Sequence, residues 1–163
     1  MGRQMTFARP QRRDLFEQLR RAQSRPVYRV ARLWQMVWGL PQTLIGGLMF
    51  FLLRHTNRWV RYRSACVMEW KLDSGLSLGM FIFVPRDTQR SLLVHEYGHT
   101  LQSLMLGPLF LPIIVLPSLF WAGLPQARRY RARKNFSYYR FPVERWANRL
   151  SHRVTGETPM GWY

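Results

Sequence analysis

Apolar and polar positions alternate in several distinct ways along this chain, and each pattern predicts a different element. From Leu33 to Leu53 runs LWQMVWGLPQTLIGGLMFFLL, 21 residues without a charge. As one helix it would be about 31 Å long, which matches the hydrocarbon core of a bilayer. Trp34 and Trp38 at one end and Trp59 beyond the other suit interfacial anchoring. Pro41 and the Gly46-Gly47 pair predict a kinked or re-entrant path. A buried soluble helix fits poorly, because it would need apolar cover on all sides, more than a chain of 163 residues has left to give.

Between Tyr62 and Val84 the pattern changes to RYRSACVMEWKL, then DSG, then LSLGMFIFV, which predicts a β-hairpin over 62–84 turning at Asp73–Gly75. A helix capped by Thr88 or Ser91 is predicted over 91–106. Thr100 to Ala127 carries no charge, but Gly107-Pro108, Pro112 and Pro117 interrupt it, so 107–127 reads as an apolar insertion that turns back near Pro112. FPVERWANRLSHRV predicts a last helix over 142–153 with Pro142 in its first turn. Upstream, Leu15, Phe16 and Leu19 share one face of a short helix from Asp14 to Gln23. The fold class expected is α+β and helix-dominated, with a β-hairpin and one or two membrane-inserted apolar segments.

Charge sharpens the membrane reading. The chain has 25 Lys and Arg against 8 Asp and Glu, a net charge of +17, although its mean hydropathy is only −0.23. Apolar and basic residues are therefore segregated, as in membrane proteins, and such a charge attracts anionic headgroups or nucleic acid. The basic residues are all Arg except Lys71 and Lys134, and no nucleic-acid-binding motif occurs among them. Residues 1–32 hold nine arginines and form a basic tail whose short amphipathic helix either lies on a membrane or is solvated; residues 33–163 form one membrane-associated domain. Cys66 is the single cysteine, which excludes an internal disulfide and a thiolate metal cluster.

The candidate chemistry lies in HEYGH. His95 and His99 are one helical turn apart, so both imidazoles leave the same face and can hold one zinc ion. Glu96 sits beside them, where it can take a proton from water at the metal and deliver it to a leaving amine. A catalytic zinc site usually needs a third protein ligand. The metzincin pattern is excluded, since Thr100 to Met105 provide neither its Gly nor its His, and a site-two protease would need an Asp, none of which occurs after Asp87.

The string ERWAN resembles the second helix of the gluzincin peptidases, E-x-x-x-D. By that resemblance the fold is zincin-like, Glu144 is the third zinc ligand, and Asn148 takes the place of the family's Asp and orients a ligand histidine. Asn in place of Asp is a departure, because an amide orients the ring but lends it less basicity. The chain is also similar to a group of small bacterial membrane proteins in which HEYGHTxQS runs into LGPL, an apolar Pro-rich segment and an E-x-W-A-N helix. The resemblance implies a membrane zinc endopeptidase of the bacterial inner membrane with a peptide or protein substrate, and the basic stretches 54–100 and 128 onward are expected on the cytoplasmic side, which gives a cytoplasm-facing site. Its partners are anionic lipid headgroups rather than nucleic acid. His152 and Tyr138 are candidate donors to a transition-state oxyanion, and His55 is an ordinary interfacial residue. The rival readings are a non-catalytic zinc-binding membrane protein and a basic protein that binds anionic lipid.

Overall fold

The computed structural model describes residues 14–21 and 25–162. Helix α1 (Asp14–Arg21) precedes α2 (Pro26–Trp38) and α3 (Leu40–Leu53). Four strands follow: β1 (Trp59–Tyr62), β2 (Ala65–Trp70), β3 (Leu76–Leu78) and β4 (Phe81–Pro85). Helix α4 (Arg90–Leu106) ends in a 3-10 turn (Gly107–Leu109) and a π-helical turn (Leu111–Val115) that leads into α5 (Leu116–Gly123). Helix α6 (Pro125–Lys134), a second 3-10 turn (Tyr138–Arg140) and α7 (Pro142–Thr155) complete a helix-dominated α+β fold.

The strands do not form the single hairpin that the pattern predicts. They make a four-stranded mixed sheet in the order β1-β2-β4-β3, with β2 and β4 parallel. Two tight turns replace the one expected at Asp73–Gly75. The first joins β1 to β2 at Arg63-Ser64, and the second joins β3 to β4 at Gly79-Met80. The DSG segment instead folds back on β2, where Trp70 Nε1 donates to Ser74 O at 2.8 Å, and carries the chain out to β3 at the sheet edge.

Alternation along the central strands gives the sheet two apolar faces. Val60, Tyr62, Val67, Ile82 and Val84 pack with Leu93 and Tyr97 of α4 and with Leu15, Phe16 and Leu19 of α1. Met68, Trp70, Phe81 and Phe83 pack on the other face against Met49, Phe50 and Leu53 of α3. The apolar stripe of α1 is thus buried in the protein's own core and is not available to a membrane. The last two residues of that predicted helix, and the basic tail before Asp14, lie outside the described residues.

The apolar segment 33–53 is not one helix. It breaks at Gly39, and α2 and α3 meet there at a bend of 106°. Pro41 in the first turn of α3 has no N–H to continue the α2 ladder, and a Cβ at Gly39 would sit 3.0 Å from Gln35 O, so the elbow closes tightly. Among the described residues no single helix is long and apolar enough to cross a membrane. The bend beside Pro41 agrees with the kinked path expected of 33–53, whereas the second turn-back differs from expectation. It falls at Gly107, whose φ of +55° an L side chain rarely adopts, and not at Pro112, which is absorbed into the π-helical turn. Helix α4 starts after Gln89, and neither Thr88 nor Ser91 caps it, because Gln89 supplies the extended residue and no side chain bonds the first turn.

Candidate metal centre

The site forms where α4 crosses α7. Gly98 makes that crossing close: a Cβ there would lie 2.2 Å from Ala147 O. Near contact between the two backbones brings His95 and His99 of α4 within reach of Glu144 and Asn148 of α7. All four are buried. Glu144 Oε2 is 3.1 Å from His95 Nε2 and 3.2 Å from His99 Nε2. Ligands bound tetrahedrally at about 2.0–2.1 Å stand roughly 3.3 Å apart, so these separations are those of a metal's coordination edges. His95, His99 and Glu144 thus form a buried group that can hold a metal ion.

The remaining atoms of the ligand side chains are all held. His95 Nδ1 is 2.7 Å from Asn148 Oδ1, and His99 Nδ1 is 2.7 Å from Gln102 Oε1. Each amide has its orientation fixed from behind, because Asn148 Nδ2 donates to Met160 O at 3.0 Å and Gln102 Nε2 donates to Val143 O at 2.8 Å. The amide oxygens must therefore face the rings and both Nδ1 atoms carry a hydrogen, so that Nε2 of each ring is the atom that takes either a second proton or a metal. Glu144 Oε1 accepts from Ser118 Oγ at 2.5 Å and from the Tyr138 hydroxyl at 3.1 Å, which leaves Oε2 facing the histidines.

Burial alone would raise the Glu144 carboxyl, yet the facing histidines outweigh it and hold that group well below the usual carboxylate range. Burial likewise opposes charge on His99, but the Glu144 carboxylate overcomes this and pushes His99 up to about 9. The donor set, two imidazoles and one carboxylate, each with its second atom bonded, suits a divalent metal ion.

Glu96 points elsewhere. Its Oε2 accepts from Ser77 Oγ of the edge strand β3 at 2.7 Å. Gly75 leaves room for the same carboxylate, since a Cβ at that position would fall 2.0 Å from Oε1. Glu96, His95 and His99 all line one cavity of about 480 Å³. Asp73 to Ser77 form one wall, and Phe110, Ile114, Val115 and Leu119 from the apolar insertion form another.

The other predicted residues fall differently. Tyr138 lines the cavity, but its hydroxyl hydrogen is engaged by Glu144, and burial together with that carboxylate raises it far above the ordinary phenol range. His152 is removed from the cavity: its Nδ1 donates to Glu157 O at 3.0 Å and its ring lies against Trp162, tilted by 33° with centroids 4.3 Å apart. Neither is placed as a free oxyanion donor. His55 is exposed beside Arg54. Gln102, Ser77, Ser118, Tyr139 and Met160 complete the surroundings without having been foreseen. Gln102 alone had a local signal, as a polar residue three positions after His99 in an apolar helix. No family model matches the chain, and no curated protein or solved structure is detectably similar to it.

Proposed function

We propose that this protein is a zinc-dependent endopeptidase of gluzincin type that works at the bacterial inner membrane, with its site on the cytoplasmic side. One observation carries the reading: three donor atoms lie within 4.8 Å of one another, two of their separations at coordination spacing, in a cavity that Glu96 also lines and that can admit part of a peptide. His95, His99 and Glu144 would hold the metal. Bound there, zinc would polarise the scissile carbonyl and acidify a water. Glu96 takes the proton of the attacking water and passes it to the leaving amine, while the Ser77 hydroxyl keeps its carboxylate in place. Asn148 and Gln102 keep the ligand rings in the tautomer that binds metal.

A peptide substrate is favoured by the neighbouring strand. Leu76 and Ser77 line the cavity, and β3 is an edge of the sheet, so an extended chain can pair with its main chain. Anionic lipid is the expected partner of the arginine-rich surface.

Metal analysis and peptide hydrolysis on the purified full chain test this together. Wild type should carry about one zinc per chain, and Glu144→Gln should lose it. Glu96→Gln should keep the zinc and lose about 10²–10⁴-fold in hydrolysis. Wild type without bound zinc after zinc loading, or a fully active Glu96→Gln, would overturn the proposal. Zinc retained with no hydrolysis in wild type would point to the non-catalytic metal protein instead.

A further inference from the structure

The elbow is built inside out. Its buried side chains are Gln35, Gln42 and Thr43, whereas Val37, Leu44, Leu48 and Leu52 face outward and are each more than half exposed. A third apolar arm joins it, because the Trp38 ring sits where a Cβ of Gly107 would be, 2.5 Å away, and beyond that turn Leu116, Leu119 and Phe120 are exposed as well. Soluble monomers rarely expose so continuous an apolar surface.

Three observations say what covers it. The first is size. Arms of 13 and 14 residues are each about 20 Å long, and a symmetric V bent by 106° with such arms reaches roughly 16 Å deep. That is about half of the ~30 Å hydrocarbon core, the share of one leaflet. The second is charge. Arg25 and Arg29 stand in the outer part of α2, whose middle residue Arg32 donates to Arg63 O at 3.3 Å, Arg54 and Arg58 follow α3, and Arg128, Arg129 and Arg133 follow α5, so cations suited to anionic headgroups flank the apolar stretch of each arm. The third is satisfaction of the backbone at both breaks. Thr43 Oγ1 donates to Gln35 O at 3.2 Å, and Gln42 Nε2 donates to Gly107 O at 2.8 Å. Both carbonyls also accept a backbone N–H, Gln35 O from Gly39 at 3.0 Å and Gly107 O from Phe110, so the main chain at each break is bonded within the protein, as it must be where water is absent.

We propose that the α2–α3 elbow, with the 107–123 arm beside it, wedges into one leaflet of an anionic bilayer and does not cross it. This specifies the membrane association proposed above and rests on it. Both ends of the elbow, and the metal cavity, then stay on the side of entry.

Single cysteines in a Cys66→Ser background test the seating in spheroplasts and in inverted membrane vesicles from the same cells. Arg25→Cys and Thr56→Cys should react with a membrane-impermeant maleimide in the same one of the two preparations, and Leu40→Cys in neither until detergent is added. The purified full chain should float with phosphatidylcholine–phosphatidylglycerol vesicles and at least tenfold less with phosphatidylcholine alone. Leu44→Arg/Leu48→Arg should abolish flotation while zinc content stays at the wild-type level, which separates lost seating from lost folding. Reaction of Arg25→Cys and Thr56→Cys in opposite preparations would show a span and overturn the wedge. Free reaction of Leu40→Cys in water, or its crosslinking to a second copy, would overturn it in favour of a soluble chain or an oligomer. Glu96→Gln should leave the whole pattern unchanged, so that failure of the peptidase reading and failure of the wedge are told apart.

Discussion

The α4–α7 crossing and the α2–α3 elbow both bury polar side chains at a place where two helices meet, but they do so in opposite ways. At the crossing, His95, His99, Glu144, Asn148 and Gln102 form one connected set in which each ring nitrogen and carboxylate oxygen has a partner. At the elbow, Gln42 and Thr43 staple two carbonyls, yet neither polar atom of the Gln35 side chain has a partner. The first arrangement is a set of charges held ready for a cation. The second is a polar hinge pin inside an exposed apolar surface. An unpartnered buried amide costs about 1–3 kcal/mol, so a protein keeps one where local shape or function outweighs that loss. The difference shows that in this chain polarity marks the inside at both places, and only the connectedness of the polar groups tells chemistry from architecture.

The severest way to break the contrast is at Gly98. A methyl group there meets the Ala147 backbone, which cannot swing aside as a side chain end can. Gly98→Ala should cost about 3 kcal/mol, lower the melting temperature, and abolish zinc uptake because Glu144 is pushed off the histidines. Wild-type melting and zinc content in this variant would show that the crossing tolerates separation.

That glycine also illustrates what the chain discloses in advance. HEYGH places its histidines on one helix face by spacing alone, and the 3.6-residue period does the same for Glu144 and Asn148 on the last helix. The close meeting of the two helices is not local. It depends on Gly98 opposing Ala147 across a long stretch of chain, and no periodicity reports it. The sheet departs from the pattern for a related reason: the DSG sequence has good turn chemistry, but it lies in the cavity wall with Glu96 and does not close a hairpin. Gly79, in LSLGM, provides the actual reversal. The run 33–53 shows its apolar character in its composition, and its Gly39 break only through the neighbouring Pro41. Ser77, Ser118 and Met160 reach the site from three separate elements and were invisible to any local pattern.

Protonation tests the site half next. In metal-free protein Glu144 holds His99 at about 9, against about 6.5 for an unperturbed histidine. The folded pKa is raised, so the stabilisation from this pair is fully present below about pH 6.5 and is lost as pH rises through about 9. Zinc needs the lone pair that the proton occupies. Its affinity should therefore rise roughly tenfold per pH unit up to about pH 9, more than 100-fold over the whole window. Calorimetric titration should record proton release on zinc binding at pH 7, and chelated protein should melt higher at pH 6 than at pH 9.5. The reverse order of melting, or binding without proton release, would show that Glu144 and His99 do not face each other in solution.

Smaller effects follow from the amides behind the rings. Asn148→Ala and Gln102→Ala should each weaken zinc binding about 10–100-fold while the fold persists. Asn148→Asp is the sharper variant. A carboxylate there accepts from His95 as well as an amide does, but its second oxygen would face the Met160 carbonyl 3.0 Å away, where Asn148 now donates. Restoring the acid of the gluzincin pattern should therefore weaken zinc binding, against the gain that greater ring basicity would give. Tighter binding in Asn148→Asp would show that the segment around Met160 can move aside, and that the asparagine is not there to satisfy it.

The mildest variant addresses the elbow. Gln35 is fully buried and its Nε2 and Oε1 make no hydrogen bond, whereas its backbone carbonyl accepts from both Gly39 N and Thr43 Oγ1. Methionine has nearly the same length and volume and lacks the amide. Gln35→Met should consequently leave the bend and the Thr43 bond intact and stabilise the protein by about 1–2 kcal/mol, read as a higher melting temperature with unchanged zinc content. A site residue replaced in the same spirit, Gln102→Met, should do the opposite and weaken zinc binding, because its amide is connected at both ends. If Gln35→Met instead lowers stability, the amide is satisfied by water held in the elbow, and the two regions differ in what bonds their polar groups and no longer in whether they are bonded.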